Sequence, residues 1–180
     1  MGHCFIYVIG AFLFTGASAL GWAASWFCKF VTTGENTYYG ILLQERESAN
    51  CVSLDGMSLE TIELFEGGDT LLLISRWSAI VALFISATGT VNLWLGMCCG
   101  CADSKNFRRW MGVFALLCAT LQGLLYLILE SDTVCSEGKC TIDVAAFLNI
   151  ASMSLFVVAA IVCCLVPDVG TGYGNGTGLY

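Results

Sequence analysis

The sequence predicts an all-α membrane protein: a left-handed bundle of four transmembrane helices carrying a small, β-rich, disulfide-stapled loop on its extracellular side. Three observations predict it. The chain of 180 residues is 57% hydrophobic and only 12% charged, and its mean hydropathy is +0.79, outside the range of water-soluble domains. Four runs, 4–28, 77–102, 110–129 and 144–167, contain no Asp, Glu, Lys or Arg, and each reaches the roughly 20 apolar residues that one bilayer crossing needs. The cysteines and charges are sorted between the connections in a way that gives the bundle an inside and an outside.

The runs predict helices over 4–28, 77–101, 110–130 and 144–166, within one transmembrane domain spanning 1–168. The first run contains Ala17-Ser18-Ala19, a triplet suited to signal peptidase. No Lys or Arg precedes it and the run stays apolar to Phe27, so it reads as a retained helix. N-myristoylation is disfavoured because Ile6 stands where that pattern wants Ser or Thr.

Orientation follows from charge. The connection between the second and third helices carries Lys105, Arg108 and Arg109 against Asp103, which marks it as cytosolic. The large loop 29–76 together with Cys28 holds eight acids and three bases, a net charge of −5, and reads as extracellular. The second outer loop, 131–143, is acidic too. Four crossings then leave both termini in the cytosol, and the plasma membrane is the expected location.

Cysteine placement is an independent test, since disulfides form outside and thiols persist inside. Cys28, Cys51, Cys135 and Cys140 fall in the outer connections. Cys28 with Cys51 and Cys135 with Cys140 is the simplest pairing, among the three that four cysteines allow. Cys4, Cys98, Cys99, Cys101, Cys163 and Cys164 lie at cytosolic helix ends, where S-palmitoylation is common and unmodified thiols are the alternative. No paired Cys-x-x-Cys set supports a metal site, and Cys118 reads as a packing residue.

Between helices in lipid, small side chains and a few hydrogen bonds drive association. Ala17, Gly21 and Ser25 form such a stripe on the first helix, Ser78, Ala82, Ser86 and Thr90 on the second, and Ala115, Ala119 and Gly123 on the third. Asn92, Gln122 and Asn149 are the polar residues at membrane depth; they read as interhelical hydrogen-bond partners rather than the lining of a conduction path. The runs hold no ionisable group of the kind that proton-coupled transport or voltage sensing requires. One histidine, His3, offers little for haem or pigment ligation, so no cofactor is expected.

In the large loop, residues 37–43 and 51–54 read as strands. Over 58–66, Leu59, Ile62 and Phe65 alternate with Glu60, Glu63 and Glu66, the pattern of a short amphipathic helix that Gly67-Gly68-Asp69 terminates. Its acidic face, Glu60, Glu63, Glu66 and Asp69, reads as a solvated surface, or as one that draws cations weakly. The tail 169–180 alternates glycine with other residues from Gly170 to Gly178, a floppy segment or an extended one with all glycines on one face. The sequon Asn175-Gly176-Thr177 would go unused in the cytosol.

Trp26 closing the first helix, Tyr39-Gly40-Ile41-Leu42 and Cys51 in the large loop, Arg76 leading the second helix, a short basic turn and cysteines ending helices two and four occur in a characteristic order. That order resembles the claudin and peripheral-myelin-protein superfamily, with its epithelial-membrane and channel gamma-subunit relatives, across residues 1–168. The Trp, Gly-Leu-Trp and Cys signature of that family's first loop is matched loosely, with Cys28 at the helix mouth as the second cysteine. The resemblance implies a small antiparallel sheet on the bundle and a non-enzymatic structural role in lateral or cell-to-cell assembly, as a homo-oligomer or in a larger membrane complex. An auxiliary subunit of a channel or receptor is the first alternative and an oligomeric pore the second. No Ser-His-Asp, Cys-His or paired-carboxylate set points to an enzyme, and nothing in the acidic composition suits nucleic acid.

Overall fold

The computed structural model describes residues 2–33, 38–46, 50–53, 70–98, 105–131, 134–135 and 140–165. Helix α1 spans Gly2–Trp26, α2 Thr70–Cys98, α3 Lys105–Gly123, continued as a 3-10 helix over Leu124–Glu130, and α4 Val144–Leu165. Four stretches, Val8–Trp26, Thr70–Cys98, Asn106–Glu130 and Val144–Cys164, are long and apolar enough to cross a membrane. Each helix satisfies its own backbone, the condition for a segment in hydrocarbon. Hydroxyls on the helices do the same locally: Thr15 donates to the Ala11 carbonyl at 2.7 Å, Thr88 to Phe84 at 2.8 Å and Thr120 to Leu116 at 2.9 Å.

The helices pack in a ring, α1 against α2 and α4, and α3 against α2 and α4. Side-chain size is distributed opposite to that of a water-soluble bundle. Phe84 (72% exposed), Phe12 (62%), Trp110 and Phe147 face outward, while Ala11, Ala17, Ala24, Ala82, Ala115, Ala159 and Ala160 are buried. This is the distribution expected of a bundle surrounded by lipid, where small groups inside let the backbones approach.

Two apolar clusters fill the interior. One holds Phe14, Phe156, Ala17, Ala115 and Cys118; Phe14 and Phe156 meet edge to face at 5.0 Å. The other holds Leu125, Ile128, Ala79, Ala145 and Ala146 from the helices together with Phe30, Val31 and Ile41 from the connection between α1 and α2. That second cluster binds the connection onto the bundle.

The outer sheet has five short strands: β1 Val31–Thr32, β2 Tyr38–Tyr39, β3 Leu43–Arg46, β4 Asn50–Ser53 and β5 Thr141–Ile142, in the order β4-β3-β2-β1-β5. All pairings are antiparallel; Val31 faces Ile142 across β1 and β5, and Tyr39 faces Gln44 across β2 and β3. Since β5 leads directly into α4, the α1–α2 and α3–α4 connections meet in one sheet at one end of the bundle.

Several boundaries differ from the sequence reading. Helix α2 begins at Thr70 rather than at 77, so Arg76 lies inside the helix; a cut at the last charge misplaces a helix end because helical hydrogen bonding does not depend on side-chain charge. Helix α3 begins at Lys105, five residues before the apolar run, for the same reason, and Arg108 in its first turn is buried. The strand expected over 37–43 is divided into β2 and β3 because Gly40, Ile41 and Leu42 turn the chain, burying Ile41 completely. The strand expected over 51–54 appears as β4 one residue earlier. The helix expected over 58–66, with Glu60, Glu63, Glu66 and Asp69, and the tail 169–180 lie outside the described residues.

Candidate functional site

Two features could carry function: the cap formed by the sheet at one end of the bundle and a polar layer inside the bundle. The cap is anchored where α1 ends. Phe30 N–H donates to the Tyr39 carbonyl, Asp143 N–H to the Phe30 carbonyl and Ala145 N–H to the Lys29 carbonyl, each at 3.0 Å. The free N–H groups at the start of α4 are thus partly satisfied by the chain leaving α1. Asp143 completes the joint. Its carboxylate accepts from the Thr32 hydroxyl at 2.9 Å and from the Val144 N–H at 2.6 Å, so one side chain caps α4 and holds β1. The Lys29 ammonium lies 4.4 Å from the centre of the Tyr38 ring.

Asp143→Ala therefore removes the acceptor at the start of α4 and its bond to Thr32 of β1 together. We expect a loss of about 1–2 kcal/mol, read as a fall in the thermal midpoint of roughly 2–8 °C for a chain of this size; Asp143→Asn, which keeps acceptor and shape, is expected to recover most of it. Equal losses from both variants would show that a neutral acceptor does not hold this joint and that the charge of the carboxylate does.

The cap is also covalently stapled. Cys135 and Cys140 are bonded, with Cα atoms 5.3 Å apart, in the loop where the sequence placed them. Cys28 is disulfide-bonded as well. The Cys51 backbone lies in β4, and its side chain is outside the described residues.

At the end of the bundle away from the sheet stand Cys98 and Cys164, both exposed free thiols, and Cys163, half-buried. Cys164 packs on Gly112 of α3 and Cys163 beside Gly10 of α1. The Cys4 side chain, Cys99 and Cys101 lie outside the described residues. Cys118 is a free thiol buried in α3. No cluster of His, Cys, Asp and Glu that could hold a metal occurs among the described residues.

The stripes of small residues point mostly inward. Ala17, Gly21, Ser25, Ser78, Ala82, Ser86, Ala115 and Ala119 are buried, while Thr90 and Gly123 are half-buried. Hydroxyls beside the stripes join helices: Ser18 meets Thr90 at 3.1 Å between α1 and α2, and Ser75 donates to the Leu125 carbonyl at 3.2 Å, whereas Ser25 and Ser86 of the stripes donate within their own helices. Around Gly21 the polar groups converge. Ser152 donates to the Ala17 carbonyl at 2.6 Å, Asn149 Nδ2 to the Gln122 carbonyl at 3.0 Å, and the Tyr126 hydroxyl to the Ala146 carbonyl at 2.7 Å. Gln122 and Asn149 are thus brought together, while Asn92 lies on an exposed face of α2.

Sequence reasoning passed over Thr32, Asp143, Tyr126 and Ser152. An aspartate directly before an apolar helical run is an N-cap signal, so Asp143 was findable. Ser152 and Tyr126 carry no local mark of their long-range partners. No protein-family model matches the chain, and no curated protein matches it.

Proposed function

We propose that this chain is a non-enzymatic structural membrane protein, claudin-like in build, that mediates lateral or cell-to-cell assembly through its acidic outer segment. The observation that carries this reading is the cap: both outer connections contribute strands to one sheet, and that sheet is seated on the helices by Phe30, Val31 and Ile41. A sheet fastened in this way is a platform rather than a pair of loose loops. It ends in β4 on one side and two-residue β5 on the other, and sheet edges are surfaces to which other chains can add. In this reading Cys28 pairs with Cys51, the bundle is left-handed, the cap is extracellular and both termini are cytosolic, in the plasma membrane. The exposed thiols Cys98 and Cys164 are acceptors for reversible acylation at the cytosolic face.

The test is the native mass of the full chain extracted in mild detergent, with co-purifying chains identified. Self-assembly of this chain alone is the expected result, lost when the segment 54–69 is replaced by a neutral linker. A fixed-ratio complex with a larger membrane chain would replace this reading with that of an auxiliary subunit. A small closed ring that conducts ions in planar bilayers would replace it with that of a pore. For the thiols, hydroxylamine-sensitive mass additions in wild-type protein, reduced in Cys98→Ala/Cys164→Ala, are expected; unmodified thiols in protein from the native membrane would remove acylation from the account.

A further inference from the structure

Two amide oxygens inside the bundle, Gln122 Oε1 and Asn149 Oδ1, are buried and reached by no donor among the described residues. The residues that carry them are 4% and 0% exposed. A buried acceptor left without a hydrogen is costly anywhere, and within a bilayer no bulk solvent can repair it. The neighbouring hydroxyls cannot repair it either. Ser152 spends its hydrogen on the Ala17 carbonyl and Tyr126 on the Ala146 carbonyl.

Rotating the amides does not help. Exchanging N and O on Asn149 would set its oxygen against the Gln122 carbonyl, where Nδ2 now donates at 3.0 Å. Exchanging them on Gln122 would bring its oxygen to the place of Nε2, beside Gly21 and Ser152, and the Ser152 hydrogen is already committed. The site needs hydrogens from outside the protein.

We infer that the junction of α1, α3 and α4 holds internal water, one or two molecules that donate to Gln122 Oε1 and Asn149 Oδ1. Water fits because two acceptors of no charge need a neutral donor with two hydrogens. None of Gly21, Gln122, Tyr126, Asn149 and Ser152 is a carboxylate that would balance a cation there. The layer lies between the two apolar clusters, one turn from Cys118 and Ala119 on one side and from Leu125 on the other. The water is therefore enclosed by apolar layers above and below.

The test is water-edited NMR of the full chain in lipid nanodiscs with 15N-labelled Asn and Gln, in the presence of an aqueous paramagnetic agent. The Gln122 and Asn149 side-chain amide signals are assigned by their loss in Gln122→Met and Asn149→Leu. The expected result is magnetisation transfer from water to these two amides, although the paramagnetic agent leaves them unquenched while it quenches exposed amides. Absence of transfer to both, with transfer retained at exposed amides, would overturn the inference. So would shifts of these two signals when sodium is exchanged for potassium or choline, which would identify a bound cation instead. Should a variant fold poorly, 15N-Gln labelling alone leaves only Gln44 and Gln122 to tell apart, and loss of one signal in Gln44→Met identifies the other, so the wild-type spectrum still decides the result.

Discussion

Gly21→Leu is expected to lower the thermal midpoint of the detergent-solubilised chain by roughly 6–12 °C, since overpacking costs about 3 kcal/mol and a chain of this size loses roughly 2–4 °C per kcal/mol. The cause is local. A Cβ at Gly21 would overlap Gln122 Nε2, stand 3.1 Å from Ser152 Oγ and 3.5 Å from Gln122 Cδ. A leucine there must displace the amide, and with it the α3 and α4 side chains that bond around it. The control is Gly16→Leu, at a glycine of the same helix with nothing within 4 Å of the added carbon. That change is expected to move the midpoint by no more than about 2 °C. Equal shifts from the two variants, measured by intrinsic tryptophan fluorescence on heating, would mean that α1 does not approach α3 and α4 as described.

Cys28→Ala is expected to cost about 3 kcal/mol if its bond closes the 23-residue span to Cys51, against about 2 kcal/mol for Cys135→Ala, whose bond closes a span of five. The difference comes from chain entropy, because a longer loop loses more freedom when it is closed in the unfolded state. Packing acts in the same direction. Cys28 is 2% exposed and directly precedes the Lys29 and Phe30 carbonyls that receive the start of α4. Thermal midpoints of the two variants should therefore fall by roughly 6–12 °C and 4–8 °C, and reduction of the wild type should approach their sum. A Cys28→Ala loss no larger than that of Cys135→Ala, or a non-reducing peptide map without a Cys28 to Cys51 fragment, would remove the proposed pairing.

Much of the frame was readable along the chain. Charge-free runs mark the spans because an ionised side chain is expensive in hydrocarbon. The small residues Ala17, Gly21 and Ser25 form a stripe because α-helical repetition returns every fourth residue to nearly the same face, and all three are buried. The helix ends were read less well. Thr70 and Lys105 begin helices ahead of the charges used as boundaries, because a helix does not stop where the hydrocarbon does. Residues 37–43 looked like one strand from their Tyr, Ile and Leu content, yet Ile41 leaves the sheet to fill the cluster beneath it. Burial against a partner outweighed local β preference.

By itself the sequence determined the number and order of the long apolar helices, the charge of the connections and the stripes of small residues, all of which depend on composition and short-range spacing. Only the tertiary structure decided that Val31 pairs with Ile142, that Asp143 joins Thr32 to α4, and that Gln122 and Asn149 meet beside Gly21. The reason is physical: these contacts join residues 27 to more than 100 positions apart. Whether two such groups meet depends on how the helices cross and how the sheet registers, and no local pattern of side chains encodes either.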